Sequence, residues 1–387
     1  MLPLIPKISK IIINHEDLAR LKNFKGKRVI LTSNHAEMTE PYAIFYLSRL
    51  LREEFNYLTA REVFEEYFPA GRLLQALGCY SVVRGTPDRS ALRATTEILI
   101  KGKNWLVIFP EGVSVGLSDT LMPFQPGIGQ FAFRAFEELK KEGEDPNIYF
   151  IPCAVKTFYV QNMHKPIDCA LSRLEARLHT DSAPGNKNYQ DRLLSLGEAL
   201  LESKEQEYGV LPQPGALLSE RISVVKETII TTIANQIGVE DHSEQILPDR
   251  LRDLVNAIDR ISHQQNQNNV DEKGSGQIHH DRAKALRRSL ETATNFMALD
   301  TCYLEQQMTT ERFLDIVGLL EREVFGRRRF WGQRKAIIKV GEPVDVNGYE
   351  GQYRINKRET FQAIASNLEA KVRDMVLELS SQSEPMK

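Results

Sequence analysis

The sequence predicts an α/β fold, with a mostly parallel sheet flanked by helices and a large all-helical insertion. From residue 28 to 158, short apolar runs alternate with segments of helical spacing, which is typical of parallel strands joined by helices. After about residue 165 the helical spacing continues but strand-like runs almost vanish. Strand character returns at 336–340, which favours an insertion between two strands of one sheet.

The predicted domains follow from this pattern. We expect a discontinuous core of residues 1–160 and 336–387, interrupted by a helical insertion over 165–335. A chain of 387 residues is long enough for such an arrangement. Inside the insertion, residues 263–280 are polar and rich in Gln and Asn, and they predict a mobile loop.

The core elements can be placed one by one. Apolar runs predict strands at 28–33, 56–60, 79–83, 105–109, 148–155 and 336–340, of which Trp105–Phe109 is the clearest buried strand. Apolar residues at helical spacing predict helices at 41–54, 73–77, 88–101, 128–142 and 359–379. Asp88 or Ser90 can cap the third of these helices, and Gly102 can end it.

Helical spacing also predicts the elements of the insertion. They are 171–178, 191–207, 217–237, 247–261, 282–299 and 309–325. Pro212 to Gly215 reads as a connector between two of these helices, because proline and glycine interrupt the apolar pattern there.

Charge and hydropathy exclude some classes of function. Fifty basic and 52 acidic residues give a net charge of −2, which argues against a general nucleic-acid-binding protein. No run reaches the roughly 18 uncharged apolar residues of a membrane span. Two prolines interrupt the apolar residues of Met1–Ile8. We therefore expect a cytoplasmic protein, or one that lies on a membrane without crossing it.

A candidate catalytic pair follows the first core strand. His35 has a side chain suited to take a proton from a hydroxyl group, and a carboxylate on its other ring nitrogen would orient it. Glu40, five positions on, can approach if a helical turn begins between them, and Glu37 is an alternative. The competing interpretation is that Asn34 and His35 form only a polar strand end and a helix cap.

Two further strand ends carry candidate binding residues. Arg84 and Gly85 follow the strand at 79–83, where ligands bind in open α/β sheets, and an arginine can hold a phosphate through two parallel hydrogen bonds. Glu111 and Gly112 follow Pro110, and the carboxylate could bind acceptor hydroxyls or position Arg84. Each segment has a simpler interpretation: a surface arginine in an ion pair, and a turn with a solvent-facing Glu.

Taken together, these segments resemble the glycerolipid acyltransferase family, the 1-acylglycerol-3-phosphate and glycerol-3-phosphate O-acyltransferases. Asn34-His35 with Glu40 resembles the first block of that family, Gly78–Gly85 the second, Phe109-Pro110-Glu111-Gly112 the third, and Ile151-Pro152 with Ala154-Val155 the fourth. Phe124–Gly127 and Val340–Pro343 also lie where the family has similar segments. The likeness covers roughly residues 25–160 and 335–347.

The chain departs from the family pattern at two places. Glu40 stands where the family has an aspartate. After Gly112 the family often has threonine, arginine and serine, whereas this chain continues Val113-Ser114-Val115-Gly116. One cation associated with phosphate binding is therefore missing from its expected place.

The resemblance implies a mechanism and a set of partners. His35, oriented by Glu40, would activate an acceptor hydroxyl, which attacks the thioester of acyl-CoA or acyl carrier protein. Arg84 and Gly85, with Glu111 and Gly112, would bind the acceptor head group, supported by Asn34, Pro110 and Pro152. The default acceptor is a lysophospholipid, 1-acylglycerol-3-phosphate, with glycerol-3-phosphate or a non-phosphate lipid as the alternatives. No metal or organic cofactor is implied.

Membrane contact and two other functions stay open at this point. Since the acceptor is a lipid, peripheral membrane association is expected, through Met1–Ile13 or an amphipathic insertion helix. One alternative function is a non-catalytic lipid-binding or scaffold protein that keeps the acyltransferase fold, and the other is thioester hydrolysis. Loss of acyl transfer on His35→Ala substitution would argue against the first, and dependence on an acceptor against the second.

Overall fold

The computed structural model describes residues 7–386 except 38, 67–70, 85–87, 113, 181–187, 212, 214, 269–274 and 298–306. Eight strands in the described residues join in one sheet. They are β1 (Ile8–Ile13), β2 (Arg28–Ser33), β3 (Phe55–Ala60), β4 (Cys79–Val82), β5 (Trp105–Ile108), β6 (Ile148–Tyr159), β7 (Arg334–Val340) and β8 (Val344–Asp345). Their spatial order is β1-β7-β6-β2-β5-β3-β4, and β8 pairs with Tyr149 and Phe150 at the start of β6.

The sheet is mostly parallel, as the sequence predicts. The five strands from β6 to β4 all run in one direction, with β2 between β6 and β5. β7 is antiparallel to β6, and β1 is parallel to β7. The carboxyl ends of β2 and β5 therefore lie side by side near the middle of the sheet.

The edge strand β1 is absent from the sequence prediction. It pairs with β7 from Ile8 to Ile13, and it is only partly buried. Its sequence, Ile-Ser-Lys-Ile-Ile-Ile, lacks the regular alternation of apolar and polar residues that marks a half-buried strand, and prolines precede it. The local pattern therefore gives little indication of a strand. Residues 8–13, part of the stretch expected to contact a membrane, thus form an edge of the sheet, and residues 1–6 lie outside the described residues.

Helices cover both faces of the sheet. On one face, α1 (His15–Lys22) and α2 (Thr39–Leu51) bury Leu21, Ile44 and Leu47 against Val29 and Leu31 of β2. Two short helices, α3 (Arg61–Glu66) and α4 (Gly71–Ala76), connect β3 to β4. Since successive side chains of a strand point to opposite faces, Ile30 of β2 faces the other layer.

That second layer contains α5 (Arg89–Lys101) and α6 (Gly127–Lys141). Asp88 caps α5 by accepting from the backbone N–H groups of Ser90 and Ala91, and Gly102 ends it in a left-handed conformation, as expected from the sequence. Phe133 and Phe136 of α6 are buried in this layer. The helices thereby fix the positions of β5 and β6 on either side of β2.

A long helical region separates β6 from β7. It consists of α7 (His164–Leu178), α8 (Tyr189–Tyr208), α9 (Leu218–Ile237), α10 (Leu247–Asn268), α11 (Ser275–Met297) and α12 (Thr310–Phe325), which share one apolar core. The predicted loop 263–280 is wrong at both ends, because α10 continues to Asn268 and α11 begins at Ser275. Gln, His and Asn tolerate a helix once apolar spacing has established one. Residues 269–274 lie outside the described residues.

After α12 the chain returns to the sheet as β7 and β8. A short 3₁₀ helix and α13 (Glu350–Ile355) lead to α14 (Lys357–Ser380), which packs Ile364, Leu368 and Val372 beside α6. The closing helix is thus two residues longer at its start than predicted. None of the described helices is long and apolar enough to span a bilayer.

Candidate active site

The turns that follow β2 and β5 form the candidate site. β2 pairs with β5 from Ile30–Leu106 to Thr32–Ile108. The residues after each strand, Asn34-His35 and Pro110-Glu111, therefore leave the sheet next to each other. This is the edge at which open α/β sheets bind ligands.

His35 faces the carboxylate of Glu40. Its Nδ1 lies 3.7 Å from Oε2 of Glu40, and the two side chains are 24% and 3% exposed. Nδ1 makes no hydrogen bond with any described residue. The predicted helical turn accounts for this approach, because α2 begins at Thr39 and brings Glu40 back over the strand end.

A backbone hydrogen bond fixes the position of the Glu40 carboxyl group. Its Oε2 also accepts a hydrogen bond from the backbone N–H of Glu37, at 2.9 Å. Burial raises the pKa of the Glu40 carboxyl, and its contact with His35 opposes that rise. A buried carboxyl with few other partners is free to orient the ring of His35 through Nδ1.

Glu37, the alternative partner of His35, is used elsewhere. Its carboxylate accepts a hydrogen bond from Arg334 at the start of β7, and it lies 3.6 Å from Nη1 of Arg328. Burial alone would raise the pKa of Glu37, but the two guanidinium groups outweigh it and hold that pKa below its ordinary value. Glu37 therefore ties the turn to the chain that returns from the helical region.

Glu111 is buried and contacts the backbone. One of its oxygens accepts the N–H of His35 at 2.5 Å, and the other accepts the N–H of Met122 at 2.7 Å. Burial raises the pKa of the Glu111 carboxyl to about 7. One oxygen thus holds the histidine turn and the other holds the backbone at Met122, whereas the expected partners of Glu111 were acceptor hydroxyls, Arg84 or solvent.

The remaining predicted residues support this edge. Asn34 donates to the carbonyl of Val155 at 2.9 Å and accepts its N–H at 2.8 Å, which extends the pairing of β2 with β6 by a side chain. The carbonyl of Pro110 accepts the N–H of Gln125, and that of Pro152 accepts the N–H of Gly341. The ring of Phe109 lies 4.7 Å from the His35 ring, a contact that the sequence analysis missed.

Gly112 is required by the geometry of its turn. Its φ is +71°, and a Cβ atom there would lie 2.0 Å from Nε2 of Gln125. Both facts exclude a larger residue without rearrangement. The loop beyond it returns to the histidine turn, since Ser114 Oγ and the N–H of Gly116 both donate to the carbonyl of Ala36.

Arg84 donates to the turn after β5, and its guanidinium is already paired within the protein. Nη1 donates to the carbonyl of Gly112 at 2.9 Å, and Nε donates to Oδ2 of Asp259 on α10 at 3.0 Å. Glu62 Oε2 lies 3.6 Å from Nη2. Asp259 and Glu62 were not anticipated, because no local pattern relates them to a residue so distant in sequence. Gly85 lies outside the described residues.

The comparisons with known proteins agree with this geometry. The family model that matches is Acyltransferase, over residues 12–156, a range that contains β2 to β5, both turns and most of β6. The comparisons with curated proteins and with solved structures gave no match. The matched range holds His35, Glu40, Arg84 and Glu111. The chain carries the domain of the acyltransferase family in residues 12–156, and it is an acyltransferase.

Proposed function

We propose that the enzyme moves a fatty acyl group from a thioester, acyl-CoA or acyl carrier protein, to the hydroxyl of a glycerolipid in phospholipid synthesis. The default acceptor is 1-acylglycerol-3-phosphate. The observation that carries this proposal is the approach of His35 Nδ1 to the buried Glu40 carboxylate at the carboxyl edge of the sheet, 3.7 Å apart. A histidine oriented in this way can act as a general base.

The proposed proton transfers involve this pair and the two substrates. Nε2 of His35 takes the proton of the acceptor hydroxyl, and the oxygen attacks the carbonyl carbon of the thioester. The carbon–sulfur bond then breaks, its electron pair goes to sulfur, and the resulting thiolate takes the proton from the imidazolium to leave as a thiol. During the transfer Glu40 stabilises the charge on the ring.

The length of Glu40 suits this geometry. The side chain reaches His35 while its oxygen also accepts the Glu37 N–H. The pair must shorten by roughly half an ångström to form a hydrogen bond, and catalytic hydrogen bonds often tighten only when substrate binds. Glu40 can therefore orient the ring of His35 as the shorter aspartate does in the family.

A membrane surface is the proposed source of the lipid substrate. Tyr42, Phe45, Tyr46 and Leu50 are each 38–43% exposed and lie at helical spacing along one side of α2, which begins at the histidine turn. Arg49 and Arg52 are exposed at the end of the same helix. Tyrosine and arginine beside apolar rings are suited to the head-group region of an anionic bilayer. We take this side of α2 as the place where the lipid enters toward His35.

An acyl-transfer assay tests the proposal. Purified enzyme receives labelled acyl-CoA or acyl carrier protein with a panel of acceptors that includes 1-acylglycerol-3-phosphate, glycerol-3-phosphate and a neutral monoacylglycerol. We expect one acceptor to be acylated, and His35→Ala to lower kcat by a factor of about 10² to 10⁴.

His164→Ala is the matched control, since this histidine lies on α7, far along the chain, and contacts Tyr189. We expect full activity from it. Equal activity of His35→Ala and the unmodified enzyme would exclude His35 as the base. Release of free fatty acid without any acceptor would assign the same site to hydrolysis.

A further inference from the structure

The edge of the Arg84 guanidinium that can bind an oxyanion already faces two carboxyl groups of the protein. Nε and Nη2 form one edge of the guanidinium, and two parallel hydrogen bonds from that edge fit a carboxylate or a phosphate equally well. Oδ2 of Asp259 lies 3.0 Å from Nε, and Oε2 of Glu62 lies 3.6 Å from Nη2. The remaining nitrogen, Nη1, holds the carbonyl of Gly112.

Asp259 reaches this position from the helical region. It belongs to α10, its side chain is fully buried, and its other oxygen accepts two hydrogen bonds from Arg287 of α11, at 2.9 and 3.2 Å. Arg287 also lies 3.9 Å from Glu62. Two guanidinium groups and two carboxyl groups thus form one cluster at the contact between the core and the helical region.

A phosphate cannot simply join this cluster. It would bring about two negative charges next to Asp259 and Glu62, and like charges a few ångströms apart repel strongly in a partly buried site. Oε2 of Glu62 is buried and accepts no hydrogen bond from a described residue. Among the described residues, no additional cation therefore offsets a further negative charge beside it. If Asp259 leaves, however, Arg84 and Arg287 together offer a phosphate two guanidinium groups.

We propose that Asp259 is an internal substitute for the phosphate of the acceptor, and that a phosphate monoester binds Arg84 by displacing it. Asp259 is thus a specificity-determining residue, and binding at the core loosens the contact with α10 and α11. Arg287 then supplies the cation that the turn after Gly112 lacks. This inference rests on the proposed function in one respect, the assignment of the acceptor head group to Arg84.

Binding measurements on Asp259→Asn test the inference without any need for turnover. Isothermal titration with glycerol 3-phosphate and with inorganic phosphate is expected to give a Kd at least about tenfold lower for Asp259→Asn than for the unmodified protein, because the competing charge is gone. Comparison of the two ligands separates recognition of the ester from recognition of free phosphate.

Glu205→Gln is the matched control. Glu205 is a buried carboxylate of the same helical region, paired with Arg221 at 2.7 and 2.8 Å, and Arg84 is not among its partners. We expect no change in the Kd for either phosphate ligand. Thermal unfolding of both variants checks that each one is folded.

Hydrogen exchange on the unmodified protein is a second, independent test. Saturating glycerol 3-phosphate is expected to increase amide exchange in residues 250–261 of α10, and Asp259→Asn is expected to show that increase without ligand. In steady-state assays, Asp259→Asn should lower the KM for a phosphate acceptor and leave the KM for a neutral acceptor unchanged.

Two results would overturn the inference. One is an unchanged Kd for both ligands in folded Asp259→Asn, which would make Asp259 a purely structural contact. The other is phosphate binding to the unmodified protein with no change in exchange at 250–261. Neither result depends on acyl transfer, whereas failure of the proposed function would appear as absent transfer with phosphate binding and exchange behaving as expected.

Discussion

At the scale of single residues, three glutamates around one histidine turn have three different tasks. Glu40 faces the imidazole, Glu111 holds the backbone N–H of His35, and Glu37 pairs with arginines from the returning chain. Their surroundings determine these tasks, because the side chains are chemically identical. The sequence indicates that a carboxylate should orient His35 and favours Glu40, but it cannot show that Glu111 is turned inward.

The buried Glu111 makes stability depend on pH. Its pKa rises from 4.5 to about 7 in the folded protein, so the protonated form favours folding, and this contribution is lost as the pH rises through 7. Between pH 4.5 and 8 the free energy of unfolding should therefore fall by about 3 kcal/mol relative to Glu111→Gln, which cannot ionise. Urea denaturation of both proteins at several pH values measures the difference.

Glu37→Gln provides a contrast of opposite sign. Because Arg334 and Arg328 hold the pKa of Glu37 below its ordinary value, its contribution to stability is present above that ordinary value and is lost as the pH falls. A difference between the unmodified protein and Glu111→Gln that is independent of pH would show that the pKa of Glu111 is the same in the folded and the unfolded protein.

At the scale of elements, the turn after β5 depends on glycine at one position. We expect Gly112→Ala to lower the free energy of unfolding by about 1–3 kcal/mol, mostly through the strained positive φ and in smaller part through displacement of the flexible end of Gln125. Gly143→Ala is the control, since φ is +77° there and no atom lies within 4 Å of the added Cβ, so only the backbone cost of about 1 kcal/mol applies. Chemical denaturation measures both.

The double variant Gly112→Ala, Gln125→Ala separates the two contributions. Removing the Gln125 side chain relieves the clash but leaves the backbone strain, so part of the loss should be recovered. Equal destabilisation by Gly112→Ala and Gly143→Ala would mean that Gln125 moves aside without cost, and that the turn is less constrained than its contacts indicate.

The elements also show what could be predicted from the sequence. The strands ending at Ser33 and Ile108 and the helix capped by Asp88 are dictated by local apolar spacing and capping residues, so they were predicted within a few residues. β1 and the contact of Asp259 with Arg84 were missed, because each depends on a partner far away in the chain. The polar end of α10 looks like a loop in the sequence, because its Gln- and Asn-rich composition is typical of one, although the helix continues through it to Asn268.

At the scale of the whole molecule, the exposed side of α2 predicts a preferred orientation on lipid. We expect the unmodified protein to sediment with vesicles that contain phosphatidylglycerol, and less with phosphatidylcholine alone, because Arg49 and Arg52 flank the aromatic side. Serine at Tyr42, Phe45 and Tyr46 together should weaken this binding by about tenfold or more.

A triple variant on the helical region is the control for lipid binding. Leu211, Leu217 and Val224 are exposed by 89, 66 and 51%, more than the residues of α2, and they lie in the helical region, just before α9 or on it. Serine at these three positions should leave vesicle binding unchanged. Equal loss in both variants would indicate general hydrophobic adsorption, and no loss in either would remove α2 as the membrane-facing side.

The pairing of β1 with β7 has a consequence for synthesis of the chain. Ser9 of β1 bonds to Arg334 of β7, 325 positions later, and at about 5–20 residues per second the partner strand emerges tens of seconds after β1 does. During that interval a segment rich in isoleucine has an open edge on the ribosome-bound chain. Aggregation of the nascent protein should therefore increase with the time between synthesis of β1 and synthesis of β7. It should be greatest for truncated products that end before residue 334.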